Sequence, residues 1–236
     1  MRNTLTIARR EFRSYFNSPS AYIVGGLFLA LVGYLFWSSF FLNQRVSVRG
    51  LFQLAYMVSV FIIPAITMGL IAEERRTGTL ELLITMPVRD SDVVVGKYLG
   101  ALGLYAVLLA LTLPQVFTVA SLGPLDWGPV LSGYLGLFLS GAAFLAVGVL
   151  ASSWATNQLV ALVVGLALCV FFWVIGKLLF FMPQGAASVV QWLSFDFHRE
   201  ALTRGVIDSR NLLFFLSVIA LALGLAFRSL ESRRWS

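Results

Sequence analysis

The residues that could carry out chemistry are few and widely spaced. The only histidine, His198, has carboxylates nearby in the sequence at Asp196 and Glu200, and such groups can serve in general acid–base catalysis. No nucleophile motif accompanies them, so we interpret His198 as a polar residue at a membrane interface. The only cysteine, Cys169, lies within an apolar run, and one cysteine with one histidine excludes a His/Cys zinc cluster. The sequence therefore predicts neither a catalytic site nor a metal site.

The chain also lacks a nucleotide-binding loop of the P-loop type. Such a loop surrounds phosphates with backbone amides and has the pattern GxxxxGK[ST]. The only Gly-Lys pairs, Gly96-Lys97 and Gly176-Lys177, lack both the leading glycine and the final Ser or Thr of this pattern. Nucleotide hydrolysis is therefore not predicted within this chain.

The most informative polar segment is Glu73–Val88, which reads EERRTGTLELLITMPV. Its first four residues are charged and end the preceding apolar run. Leu80, Leu83 and Ile84 have helical spacing, so a short helix here would have one apolar face, and Pro87 would end it. Such a helix is too short to be stable alone in water. We expect the bilayer surface or a protein partner to cover its apolar face, and the mixed charges favour specific docking.

Composition indicates that lipid surrounds most of the chain on either side of the Glu73–Val88 segment. Of the 236 residues, 59% are hydrophobic and only 12% are charged, whereas soluble domains have about 25% charged residues. The mean hydropathy is +0.88. The net charge of +6 comes from basic residues that flank apolar stretches, which indicates membrane topology rather than binding to nucleic acid.

Charge-free stretches long enough to cross a bilayer predict an all-α integral membrane protein with a six-helix transmembrane bundle. We treat residues 1–236 as one domain, with residues 73–97 as a cytoplasmic loop. Residues 182–210 are interrupted by Pro183-Gln184-Gly185 and are predicted to form an outer loop with re-entrant or interfacial helices, with a seventh span as the alternative. The predicted spans lie near residues 22–42, 51–72, 98–121, 129–151, 159–181 and 211–228.

The distribution of Lys and Arg predicts that both termini are cytoplasmic. With this orientation, eleven of the 17 basic residues lie on the inner side and six on the outer side. The inner residues are Arg2, Arg9, Arg10, Arg13, Arg75, Arg76, Arg89, Lys97, Arg228, Arg233 and Arg234. The outer residues are Arg45, Arg49, Lys177, Arg199, Arg204 and Arg210.

The first 19 residues predict an amphipathic helix in the membrane interface. Asn17-Ser18-Pro19 would end it before the first span, and an ordinary basic flank is the alternative. Its apolar residues have helical spacing and its arginines lie beside them: Leu5, Ala8, Phe12, Tyr15 and Phe16, with Arg9, Arg10 and Arg13.

Small residues are concentrated in the fourth predicted span, at Gly133, Gly136, Ser140 and Gly141. Small side chains allow helices to approach closely. Packing within one chain and contact with a second subunit are both consistent with this pattern.

Several segments resemble one family. The Glu73–Val88 run resembles the cytoplasmic coupling segment in permease subunits of type-2 ABC transporters. ASSWATNQLVA (Ala151–Ala161) is similar to the turn between spans 4 and 5 of that family. RSYFNSPSAYI (Arg13–Ile23), HREALTRGVIDSRNLLFFLS (His198–Ser217) and LESRRW (Leu230–Trp235) resemble the branch associated with bacterial gliding motility.

The resemblance implies a non-catalytic permease subunit in the bacterial inner membrane. Two permease copies, identical or homologous, would pair above two ABC ATPase subunits that bind ATP and Mg²⁺, and an accessory envelope protein could join them. Export is implied, and a path without charged residues suits lipid-linked, amphipathic or apolar cargo better than free ions. The alternative is a membrane scaffold without a translocation path. The implied contacts with the ATPase are Glu73, Glu74, Arg75, Arg76, Thr77, Gly78, Thr79, Leu80, Glu81, Leu83, Ile84 and Pro87.

Overall fold

The computed structural model describes residues 2–43, 47–78, 90–178 and 190–232, and these residues contain helices and no strand. A helical turn at residues 190–193 precedes α9. The helices are α1 (Arg2–Asn17), α2 (Pro19–Asn43), α3 (Arg49–Thr67), α4 (Ala72–Arg76), α5 (Asp90–Ala110), α6 (Leu113–Leu122), α7 (Trp127–Trp154), α8 (Gln158–Leu178), α9 (Phe195–Thr203) and α10 (Ser209–Ser232).

Among the described residues, six helical segments are long and apolar enough to cross a membrane, which confirms the predicted all-helical fold with six spans. Residues 179–189, which carry the end of the predicted fifth span and part of the alternative seventh span, lie outside the described residues. The candidate spans are Pro19–Leu42, Arg49–Arg76, Asp90–Leu122, Trp127–Trp154, Gln158–Leu178 and Ser209–Glu231.

The third span differs from its prediction at its start. Helix α5 begins at Asp90, so residues 90–97 belong to the helix rather than to the preceding loop. Asp90 and Asp92 lie in the first turn, where acidic side chains interact favourably with the positive end of the helix dipole. Lys97 follows within the same helix and is almost fully buried, which requires partners for its charge.

Helix α7 forms the centre of the bundle and contacts α3, α5, α8, α9 and α10. Within its most apolar 18 residues, 83% are buried in the protein, compared with 22% for α2 and 17% for α10. Two of the small residues predicted in this span make room for aromatic rings: Gly133 lies against the Phe52 ring, and Gly141 against the Tyr105 ring.

The other two small residues also lie within the chain. Gly136 faces Leu202 of α9, and Ser140 is fully buried and donates a hydrogen bond to the Leu137 carbonyl. Packing within one chain therefore accounts for all four small residues. The spans formed by α2, α8 and α10 have few buried residues and expose many large apolar side chains.

Helix α1 lies along the first half of α5. Ideal Cβ atoms at Gly96, Gly100 and Gly103 would come within 3 Å of α1 side chains, so the absence of side chains on this face allows the two helices to pack closely. The α1 helix is therefore positioned by a protein contact on one side, while Arg9, Arg10 and Arg13 are exposed.

Candidate functional site

One end of the bundle contains α1, α4 and the last turn of α7, and we call it the α4 end. A buried lysine of α5, Lys97, connects α5 to α1 and α4 at this end. The ammonium nitrogen of Lys97 lies 2.9 Å from Glu11 Oε1 of α1 and 2.8 Å from Glu74 Oε1 of α4. The side chain of Lys97 is 3% exposed and each carboxylate side chain is 18% exposed. We call these residues the Lys97 cluster.

The local sequence explains why these groups meet. The glycine face of α5 brings α1 close, and Glu11 is the only acidic residue of α1, so its carboxylate can reach α5. A second polar contact lies nearer the start of both helices, where the Thr4 hydroxyl donates to Asp92 Oδ1 at 2.6 Å. With charge-assisted hydrogen bonds at its centre, the α1–α5 pair is held by polar contacts as well as by packing.

A break in the second span separates α3 from α4, and one serine of α7 forms hydrogen bonds with the backbone groups at this break. The Ser152 hydroxyl accepts from the amides of Ile71 and Ala72, both at 3.1 Å, and donates to the Met68 carbonyl at 3.2 Å. Ser152 is fully buried. Because buried backbone groups need partners, this hydroxyl supports a turn at residues 68–71 that would otherwise be costly.

The remaining contacts of α4 involve its arginines. Arg75 donates from Nη1 to the Ala155 carbonyl at 2.9 Å, which connects α4 to the turn between α7 and α8. Arg76 and Glu73 form an exposed ion pair at 2.6 Å. Helix α4 is thus attached to α5 through Glu74 and to the α7–α8 turn through Arg75, while its other side is exposed to solvent.

The predicted coupling residues fall into two groups in the structure. Glu73, Glu74, Arg75 and Arg76 form most of α4. Thr77 and Gly78 follow it, with the Thr77 hydroxyl donating to the Glu73 carbonyl and Gly78 in the left-handed region at φ 71°, which glycine adopts without strain. The rest lie outside the described residues: Thr79, Leu80, Glu81, Leu83, Ile84 and Pro87.

The α4 end also includes a contact between α1 and α3. The Tyr15 hydroxyl donates to the Ile66 carbonyl at 3.1 Å, one of the last carbonyls of α3, which have no partner within the helix. Desolvation, with Glu11 nearby, raises the pKa of Tyr15 above its usual range, so its hydroxyl keeps the proton that it donates. Phe12 and Phe16 of α1 contact each other edge to face at 5.0 Å.

The opposite end of the bundle contains His198 of α9, which is buried within the protein. Its Nε2 donates to the Trp192 carbonyl at 3.0 Å, and its Nδ1 lies 2.7 Å from the Asn211 side chain oxygen. The ring also stacks on Phe214. These contacts connect α9 to α10, and they give the ring a structural role between the helices.

Arg199 is a second buried polar residue of α9. Its guanidinium lies 4.3 Å from the centre of the Tyr56 ring of α3 and forms an ion pair with Asp196 at 2.9 Å. The same Asp196 lies 3.6 Å from Lys177 of α8. Within the described ranges, no group of three or more His, Cys, Asp or Glu side chains could hold a metal ion.

The six candidate spans in the described residues define a multi-pass helical membrane protein. Residues 43–196, about two thirds of the chain, match the sequence profile of the ABC-2 family transporter proteins. The chain belongs to this family. No curated protein sequence matches it.

Membership defines the general role of the chain. It is a transmembrane permease component of an ABC transporter. Permeases of this family are generally non-catalytic, and they partner with an ABC ATPase subunit that hydrolyses the nucleotide.

Sequence reasoning missed two parts of the site. It identified Glu74 but treated Lys97 as a flanking charge and gave Glu11 no role. The spacing of Gly96, Gly100 and Gly103 along one helix face was an available signal, because it predicts a close helix contact next to the lysine. The role of Ser152 had no comparable signal, because serine is common in polar turns.

Proposed function

We propose that this chain is the permease subunit of an ATP-driven exporter, with ATP and Mg²⁺ bound by the partner ATPase. In this proposal, α4 and the segment that follows it receive movement from the ATPase. The protein would lie in the bacterial inner membrane with both termini in the cytoplasm. A second permease copy, an accessory envelope protein and a place in the gliding-motility-associated branch are parts of the same proposal.

The Lys97 cluster is the observation that carries this proposal. Glu74 of α4 and Glu11 of α1 bind the same ammonium group of α5 at 2.8 and 2.9 Å. Displacement of α4 by a docked protein would either move α5 and α1 with it or break a buried ion pair. Breaking such a pair is costly, because it leaves an uncompensated charge in a poorly solvated site. Movement of all three helices is therefore favoured.

A second connection leads from α4 to the centre of the bundle. Arg75 bonds to the Ala155 carbonyl, and Ser152 bonds to the backbone on both sides of the α3–α4 break. Ser152 belongs to α7 and Ala155 is its C-cap, and α7 contacts most of the other spans. A movement that begins at α4 can thus reach the central helix through hydrogen bonds.

The proposed orientation is supported by the charges at the α4 end. Arg9, Arg10 and Arg13 of α1 lie at the same end as Arg75 and Arg76. A concentration of arginine beside membrane spans favours the cytoplasmic side, which is also the side where ATP is available to a partner.

The experiment that tests ATPase docking uses the tagged full-length chain purified from its native membranes. A P-loop ATPase should co-purify with it. Replacing Leu80, Leu83 and Ile84 with Asp should abolish co-purification without reducing membrane insertion. The matched control is the Val206→Asp/Ile207→Asp variant, since these apolar residues are about 60% exposed at the opposite end, and it should retain the ATPase. Absence of an ATPase from the unmodified chain would favour the scaffold alternative.

Orientation is tested by labelling single cysteines in intact cells. Cys169 is fully buried and is replaced by Ala in the parent. A membrane-impermeant maleimide should label Val206→Cys in intact cells and label Thr77→Cys only after permeabilisation. The reverse pattern would place α4 outside the cell, where it could not meet an ATP-dependent partner, and would overturn the proposal.

A further inference from the structure

The outer face of α1 has an arginine surface for which the proposed coupling role gives no explanation. Arg9, Arg10 and Arg13 are exposed, and within the described part of the chain no carboxylate forms an ion pair with them. The one acidic residue of α1, Glu11, is turned inward to Lys97. The helix therefore separates its charges, with the carboxylate bound in the protein and the guanidinium groups facing outward.

These arginines border an open groove of about 1080 Å³ between α1 and α5. The apolar part of its lining includes Leu5, Phe12, Leu99 and Gly103. Leu5 is 69% exposed and Leu99 is 39% exposed, although both are large apolar residues. The volume slightly exceeds that of ordinary small-molecule sites, about 300–1,000 Å³.

The location of the groove indicates what covers it. Leu99 and Gly103 belong to a candidate membrane span, so the apolar floor continues into the hydrocarbon region while the arginines lie at its edge. An occupant must have a negatively charged end next to an apolar chain. Arginine binds phosphate through paired hydrogen bonds, and the floor provides a surface for an acyl chain.

We propose that the groove between α1 and α5 binds an anionic phospholipid, with its phosphate at Arg9, Arg10 and Arg13 and an acyl chain along Leu99 and Gly103. The bound lipid would bridge the two helices on the side opposite the Lys97 cluster. It would thereby add a lipid-dependent contact to the helix pair that carries the coupling residues.

The proposal is tested by native mass spectrometry of the purified full-length chain. The protein is released from micelles containing equal amounts of phosphatidylglycerol and phosphatidylcholine with identical acyl chains. Because each basic residue near a membrane surface adds about 1 kcal/mol of attraction to anionic lipid, the Arg9→Gln/Arg10→Gln/Arg13→Gln variant should lose the preference for phosphatidylglycerol by at least about tenfold.

The matched control removes the same number of charges elsewhere. Arg49, Arg204 and Arg210 are exposed at the opposite end, and their replacement with Gln should leave the preference unchanged. Thermal unfolding in phosphatidylcholine micelles shows whether each variant is folded. If the α1 triple variant does not fold, the three single variants decide, and each should weaken retention about fivefold.

Several outcomes would overturn the proposal. The unmodified chain could show no preference for phosphatidylglycerol, or the α1 variant could keep the preference, or the control could lose it equally. Displacement of the lipid by excess inorganic phosphate would show that the surface binds an anion without using the apolar floor. Loss of the partner ATPase from the α1 variant, without any lipid preference in the parent, would assign the surface to that protein instead.

Discussion

Replacing Lys97 with Met should strongly destabilise the protein. The methionine keeps most of the length of the side chain but removes the charge that lies 2.9 Å from Glu11 and 2.8 Å from Glu74. Two poorly exposed carboxylates would then face each other without a cation. Removing one partner from a buried ion pair costs about 3–5 kcal/mol.

Thermal unfolding of the purified protein measures this cost. For proteins of this size, about 1 kcal/mol corresponds to 2–4 °C, so the midpoint of Lys97→Met should fall by about 6–20 °C. The Lys97→Met/Glu11→Gln/Glu74→Gln variant should recover part of this loss, because no uncompensated charge remains. A midpoint of Lys97→Met within about 2 °C of the parent would refute the structural role of the cluster. A triple variant less stable than the single variant would refute the electrostatic reasoning.

A matched pair of variants separates coupling from stability. Glu74→Gln keeps an oxygen near Lys97 but removes the charge that binds α4 to α5. It should reduce transport-coupled ATP hydrolysis in the reconstituted complex, whereas Glu200→Gln should not, because Glu200 lies at the opposite end of the bundle in an exposed ion pair with Arg204. Equal effects of both variants would show that the contact between Glu74 and Lys97 does not transmit movement.

Two further variants test how the helices are joined. Ser152→Ala removes the acceptor of two backbone amides and should cost about 1–3 kcal/mol of unfolding free energy for each amide left without a partner. Ser153→Ala is the control, since the Ser153 hydroxyl donates to the Leu150 carbonyl of its own helix. Equal losses of stability in thermal unfolding would contradict the role of Ser152 in supporting the break between α3 and α4. Gly100→Leu should displace α1, because even a Cβ atom at this position would lie 2.6 Å from an α1 side chain. Trypsin should then cleave α1 faster, whereas Gly224→Leu, on an open face of α10, should not change the rate.

The bundle was largely predictable from the sequence. Five long charge-free stretches, one of them long enough for two spans, predicted six spans, and the described residues contain six candidate spans with boundaries that mostly lie a few residues from the predicted ones. The exception is the start of α5 at Asp90. We placed residues 90–97 in a loop because each charge in a span costs free energy of membrane insertion. The sequence does not show that Lys97 has two carboxylate partners that offset this cost.

The candidate site was predictable only in part. The charged start of the Glu73–Val88 segment was recognised as a place for docking, and the α1 helix was recognised from its periodicity. The small residues of α7 were left with two interpretations, because spacing alone does not identify the chain that a helix face contacts. The structure places Phe52, Leu202 and Tyr105 of the same chain against the three glycines.

The sequence by itself determined that lipid surrounds most of this protein, how many spans it has and which end of the bundle is rich in arginine. These properties depend on hydrophobicity and charge along short stretches of chain. Tertiary structure alone decided that Glu11 and Glu74 share Lys97 and that Ser152 supports the break after α3. These contacts join residues 86 and 81 positions apart. They form only when glycine-lined helices pack together and bring distant polar groups into a space from which water is largely excluded.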